Sequence, residues 1–354
     1  MALWTNRHTN PEVFNSDHNL LTKSIVFDGK IWTMLDITNE DDFHQRTEVY
    51  VFDPESKVFT EKNCVYPPDW GEEVHGLAIN GESVYVWRST EDDRNYHLFK
   101  FNQVTSEWES VMKLRRHGRL ISIVIINQVM YILEDHAYNQ VSLITISLPE
   151  RKVVEIKYLG NLMNGFLSTH NNNVYLMNLF DMRIQKVSKF ENGELFEIAS
   201  EKENYPNDER QVWCSDRNEF VTYAHLGFKF IWHTFDFDEL KWKSETTQMD
   251  WLGCYVQQYS VVKLNESIYI LMVIWKDEKL QMEFHQLDLH PKLTSICLAD
   301  LTSRFAKNRN SQELSEVELQ LPIQLRNKLA ELVKWRIKNA ERKNRHNGRG
   351  EGSG

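Results

Sequence analysis

A small turn followed within a few residues by an aromatic side chain recurs six times along this chain of 354 residues. The turns open at Asp28, Asn80, Asn127, Asn172, Asn218 and Asn265, and the aromatics that follow are Trp32, Tyr85, Tyr131, Tyr175, Phe220 and Tyr269. Successive aromatics lie 53, 46, 44, 45 and 49 residues apart. Each turn joins two stretches of period-2 apolar alternation, the pattern of a β-hairpin. A second landmark follows in several units, where Phe52 precedes Phe59, Phe101 precedes Trp108 and Phe235 precedes Trp242, each pair seven positions apart across a polar turn. A unit therefore reads as four antiparallel strands with no helical crossover. Four-stranded units repeating every 45–50 residues or so are the signature of β-propeller blades. The expected fold class is all-β: a six-bladed propeller over residues 1–290, with the anchors Trp32, Tyr85, Tyr131, Tyr175 and Tyr269 buried between blades.

The units resemble kelch repeats more than WD40 repeats. The stretch from Met112 to Tyr131 is similar to a kelch opening, with arginines in the leading loop, an apolar strand, a turn and then tyrosine. The Gly-Gly pair that ends the second kelch strand is absent throughout, so the resemblance implies a divergent kelch-like propeller. It covers about residues 22–289.

Beyond the repeats, Leu293, Ile296, Cys297, Leu301 and Phe305 fall on one side of a helix. Leu325, Leu329, Leu332 and Val333 do the same, with Pro322 in the first turn, where its missing N–H does no harm. Periodicity alone fits two helices packed back on the main domain. The spacing of Leu293, Cys297 and Leu301 also resembles the BC box by which SOCS- and VHL-box proteins bind Elongin C. The run Leu321-Pro322 with Leu325 and Leu329 is similar to the cullin box that follows it in those proteins. Lys292 stands where the family has a small residue or proline. Gln324 replaces the last proline of the Cullin-5 type, so the box is nearer the Cullin-2 type. The resemblance implies a small α-helical SOCS/VHL-like box over residues 291–338. In it, Leu293, Ile296, Cys297 and Leu301 would bind Elongin C, joined to Elongin B. Leu321, Pro322, Leu325 and Leu329 would meet Cullin-2, less readily Cullin-5.

One conflict follows. The last blade needs a fourth strand, and residues 290–301 would supply it only by giving up the helix. The N-terminal segment around Trp4 is similar to the fourth-strand sequences around Trp108 and Trp242, and closure from that end is expected to release residues 291 onward.

On an ordinary propeller, loops after strands two and four of each blade share one face. Lys113, Arg115, Arg116 and Arg119 gather in one such loop on an otherwise acidic domain, with Trp70 and Trp251 in others. The guanidinium fork suits a carboxylate. Arg115, Arg116, Arg119, Trp70 and Trp251 are therefore the candidate substrate-binding residues, against the plain alternative of a solvated loop.

Charge divides the chain: net +6 from Thr302 onward, −16 before it. The basic end reads as a solvated helix terminus rather than a nucleic-acid contact, and residues 339–354 as a disordered tail. The four cysteines stand far apart without a C-x-x-C pair, which fits a reducing cytoplasmic or nuclear setting. No apolar run approaches the ~20 residues of a membrane span. No metal, cofactor or nucleophile motif occurs, so neither cofactor nor metal is expected, and the acidic runs at residues 40–42 and 91–93 read as solvated turns. The expected function is that of a non-enzymatic substrate receptor of an Elongin–cullin ubiquitin ligase. A cytoskeletal or RNA-associated propeller scaffold whose C-terminal helices pack internally stands as the alternative, and a propeller hydrolase as a third.

Overall fold

The computed structural model describes residues 3–14, 18–39, 45–71, 73–89, 95–115, 118–136, 140–161, 165–180, 184–202, 212–214, 219–226, 229–248, 255–276 and 279–289. The helical box and the tail, residues 291–354, lie outside them.

Among the described residues, twenty-four strands form six four-stranded antiparallel sheets arranged as a propeller. Blade one holds β2 (His18–Phe27), β3 (Lys30–Asn39), β4 (Gln45–Asp53) and β5 (Val58–Glu61). Blade two holds β6 (Val74–Asn80), β7 (Ser83–Ser89), β8 (Asn95–Asn102) and β9 (Glu107–Arg115). Blade three is β10 (Arg119–Ile126), β11 (Val129–His136), β12 (Gln140–Ser147) and β13 (Lys152–Asn161). Blade four is β14 (Phe166–His170), β15 (Asn173–Phe180), β16 (Ile184–Glu191) and β17 (Glu194–Lys202). Blade five is β18 (Val212–Cys214), β19 (Glu219–Leu226), β20 (Lys229–Asp236) and β21 (Lys241–Gln248). Blade six takes β22 (Tyr255–Leu264), β23 (Ser267–Lys276) and β24 (Lys279–Asp288) from one end of the repeat region and β1 (Leu3–Phe14) from the other. β1 pairs antiparallel with β24, from Leu3 opposite Asp288 to Phe14 opposite Leu280. The N-terminus thus supplies the missing strand, and β22 lies beside β2.

Local chemistry explains the hairpins. Asp28–Gly29, Asn127–Gln128 and Asn171–Asn172 have positive φ at both turn residues, the twist that two-residue hairpins require. The seven-residue landmarks prove to be direct cross-strand partners on strands three and four: Phe52 opposite Phe59, Phe101 opposite Trp108, Phe235 opposite Trp242. Their ring centroids lie 4.8, 5.0 and 5.0 Å apart. In all three the residue after the first aromatic (Asp53, Asn102 or Asp236) accepts two backbone N–H bonds from the turn, which fixes its geometry.

The core lies between blades. Along β3, Ile31, Leu35 and Ile37 pack on blade six, while Trp32 and Met34 pack on blade two. Middle strands are therefore apolar on both faces, at about 1.5–3 kcal/mol for each large side chain buried. Trp32, Tyr85, Tyr175, Phe220 and Tyr269 are buried as the repeat implies. Tyr131 departs from them: it is half-buried, packed edge-on to Phe190 of blade four.

The candidate docking face

Loops after strands two and four open on one face, and the turns at Asp28, Asn127, Asn171 and Asn265 on the other. Of the expected substrate residues, Trp70, Arg115 and Arg119 belong to the first face, but their surroundings differ. β5 is only four residues long, and the chain that follows it, from Lys62 to Gly71, packs Cys64, Tyr66 and Trp70 into the wedge between blades one and two. Trp70 sits in that wedge. Its ring packs on Tyr66, Phe99 and Trp108 at 4.8, 4.8 and 5.1 Å, and its Nε1–H donates to Thr47 Oγ1 at 3.0 Å. The ring read as a substrate anchor is thus half-buried packing.

Thr47 in turn donates to Asp36 Oδ1 at 2.7 Å. Asp36 also receives the Val74 backbone N–H at 2.9 Å and Arg88 Nη1 at 3.0 Å. Arg88 stacks 4.7 Å over Trp70 and donates from Nη2 to the Gly71 carbonyl at 3.3 Å. Asp36 and Arg88 are 1% and 0% exposed, so this is a buried charge pair inside a polar network joining two blades and the loop between them. Burial pulls the Arg88 pKa down and Asp36 opposes it, while burial pushes the Tyr66 hydroxyl and Cys64 thiol up. Asp36 and Arg88 are turned inward, and the network ties the Trp70 loop to both blades.

The basic cluster is partly neutralised. Lys113 Nζ lies 3.4 Å from Asp69 Oδ2. Arg119 stands opposite Asp135 in the β10–β11 ladder, and Arg115 opposite Asn95. Both arginines are exposed, and the buried Tyr96 fastens the loop between them. Its hydroxyl donates to the Gly118 carbonyl at 2.9 Å and accepts from Leu120 N–H at 3.2 Å. Arg116 and Trp251 lie outside the described residues, as do Leu293, Ile296, Cys297, Leu301, Leu321, Pro322, Leu325 and Leu329.

Beside this loop, Ser110 Oγ is 2.7 Å from His97 Nε2, and His97 Nδ1 is 3.4 Å from Asp69. The order is that of a nucleophile, a base and an acid. Two observations speak for a structural role. Similar pairs recur at His136–Ser142, 2.7 Å, and His233–Ser244, 2.8 Å. Asp69 is also shared with Lys113 rather than buried behind the imidazole, unlike the orienting carboxylate of a triad. Among the described residues no group of three or more His, Cys, Asp and Glu is placed to hold a metal.

The innermost strands surround a cavity of about 380 Å³, lined by Lys23, His75, Ser122, Ser168, Thr169 and Lys263 among others. The Lys263 ammonium donates to the Asn265 carbonyl.

No protein-family model and no curated protein matches the sequence. Solved structures do resemble the fold. A protein of unknown function from Dyadobacter fermentans superposes with a TM-score of 0.55 at 8% identity, over 82% of this chain and 99% of that one. A Trypanosoma rangeli sialidase mutant displaying trans-sialidase activity gives 0.51 at 10% identity, over 87% of this chain and 61% of that one. The β-propeller domain of the Trilobed protease from Pyrococcus furiosus gives 0.43 at 11% identity, over 75% and 83%. At such identities the likeness is one of fold. Taken with the six closed sheets, the chain is a six-bladed β-propeller.

Proposed function

We propose that the protein is a non-enzymatic receptor: a divergent kelch-type propeller that captures a target protein on the face carrying Arg115 and Arg119. The segment after the propeller, in this reading, docks it to Elongin B/C through a BC box and to Cullin-2 through the box that follows. The observation that carries this reading is the closure of blade six by β1. Had residues 290–301 been needed as the fourth strand, the spacing of Leu293, Cys297 and Leu301 would have been strand chemistry and the resemblance would lapse. Because β1 fills that place, the motif is left to serve a partner. Transfer of ubiquitin would belong to the recruited components, and the propeller contributes selection.

The test is binding of the purified full-length chain to purified Elongin B/C. Leu293→Asp with Cys297→Asp should abolish capture while the propeller keeps its melting midpoint. Pro322→Ser with Leu325→Asp should retain Elongin and lose Cullin-2. Undiminished Elongin capture by the first variant, or no capture by the wild-type chain, would return the protein to the scaffold reading.

A further inference from the structure

We propose that the protein associates with a second copy of itself through β13, the outer strand of blade three. Outer strands of a propeller are sheet edges, and they are ordinarily protected by polar or charged side chains. β21 follows that rule, presenting Lys241, Lys243 and Glu245 to solvent. β13 does not. Ile156 and Tyr158, on one face of the strand, are 43% and 72% exposed, and Val154 in the bulge before them is 59% exposed, on an edge with no strand beyond it among the described residues. Glu155 and Lys157 lie between them. The register shifts of β13 fall outside residues 155–158, which pair regularly with β12.

The sequence of this edge is complementary to itself in one register. A two-fold axis perpendicular to the sheet keeps each face on its own side, so some residue must oppose its own mate in an antiparallel pair. With Glu155 or Lys157 on the axis, like charges would meet. With Ile156 on the axis, Glu155 stands opposite the second copy's Lys157. The two Ile156 side chains then meet on one face of the joined sheet, and the other face carries two ion pairs. Lys157 already donates to the Gly193 carbonyl of blade four, which fixes its stem and leaves two N–H groups for a carboxylate. A single strand edge is a small contact, so the dimer should be weak and concentration-dependent. This inference is independent of the receptor reading.

Sedimentation velocity of the full-length protein over a wide concentration range tests it. The wild type should move from monomer to dimer, and Ile156→Lys, which sets like charges on the axis, should raise the dissociation constant at least tenfold. Glu155→Lys should do the same, and adding Lys157→Glu should restore the dimer, because the exchange merely inverts each pair across the axis. Unchanged melting midpoints serve as the control for folding, and Ile156→Lys does not touch the Lys157 contact with blade four. A wild type that stays monomeric throughout, a dimer indifferent to Ile156→Lys, or folded charge variants that the exchange fails to rescue would each overturn the proposal.

Discussion

Arg88 and Asp36 meet across the boundary between blades one and two, Nη1 3.0 Å from Oδ1, with both side chains shut off from solvent. A buried pair of this kind is a poor source of net stability, because desolvation offsets most of the attraction, but breaking it leaves a lone charge in the core. Asp36→Ala or Arg88→Ala should each lower stability by about 3–5 kcal/mol. The double variant Asp36→Leu/Arg88→Met should lose less than either, since no charge is stranded. Urea denaturation of the three proteins checks this, and a double variant as unstable as the sum of the singles would count against it.

Gly118 lies where the loop carrying Arg115 and Arg119 crosses the end of β11. A Cβ there would come within 2.3 Å of the Asp135 carbonyl oxygen, a backbone atom with little room to move. Gly118→Ala should therefore destabilise by about 1–3 kcal/mol through crowding. Gly71 repeats the arrangement against the Ser89 carbonyl, also at 2.3 Å, and adds a φ of +82°. Gly71→Ala should be the worse of the two, and the reverse order in thermal melts would show that the backbone angle is not being felt.

These glycines mark what the sequence offered beyond the aromatic repeat. Gly71, Gly118 and Gly165 are each 47 residues apart, and each precedes the innermost strand of its blade, so the spacing alone announces the crossing point. The aromatic pairs were legible because both members lie in one hairpin, within seven residues. Arg88 and Asp36 were not, since they stand 52 residues apart in different blades and their meeting depends on how neighbouring sheets pack. The packing of Trp70 was hidden for a related reason: a Pro-Asp-Trp-Gly loop does not announce in sequence that its tryptophan lies against Phe99 and Trp108 of the next blade. The partial neutralisation of Lys113 by Asp69 was hidden in the same way.

His97 is 1% exposed, and burial holds its imidazole below the ordinary value of 6.5, with Lys113 adding to the effect and Asp69 opposing it. As pH falls below about 6.5 the unfolded chain takes up this proton before the folded one does, so the group's contribution to stability is present above that pH and declines below it. Replacing it by asparagine keeps a partner for Ser110 and removes the titration. The wild type should thus lose more stability between pH 7.5 and 5 than His97→Asn does. A wild-type profile that is the flatter one, measured by urea midpoint at each pH, would assign the imidazole a partner that favours its charged form.

The ring is closed by β1, and its dependence on that strand can be measured. β24 carries Met282, Phe284 and Leu287 into the core, and without β1 it becomes an exposed edge. Core clusters join blade six to blade one and then each blade to the next as far as blade five, so opening blade six should weaken the ring as a whole. Deleting residues 1–10 should lower the melting midpoint of a single cooperative transition rather than add a separate early one, and a peptide of residues 1–14 supplied in trans should restore part of the loss. Deleting residues 291–354 removes none of the described strands and should leave the midpoint within about 2 °C, roughly the shift that 1 kcal/mol produces in a domain of this size. An unchanged midpoint after the first deletion would mean that blade six holds without its N-terminal strand, which would also remove the reason for leaving the Leu293–Leu301 segment free.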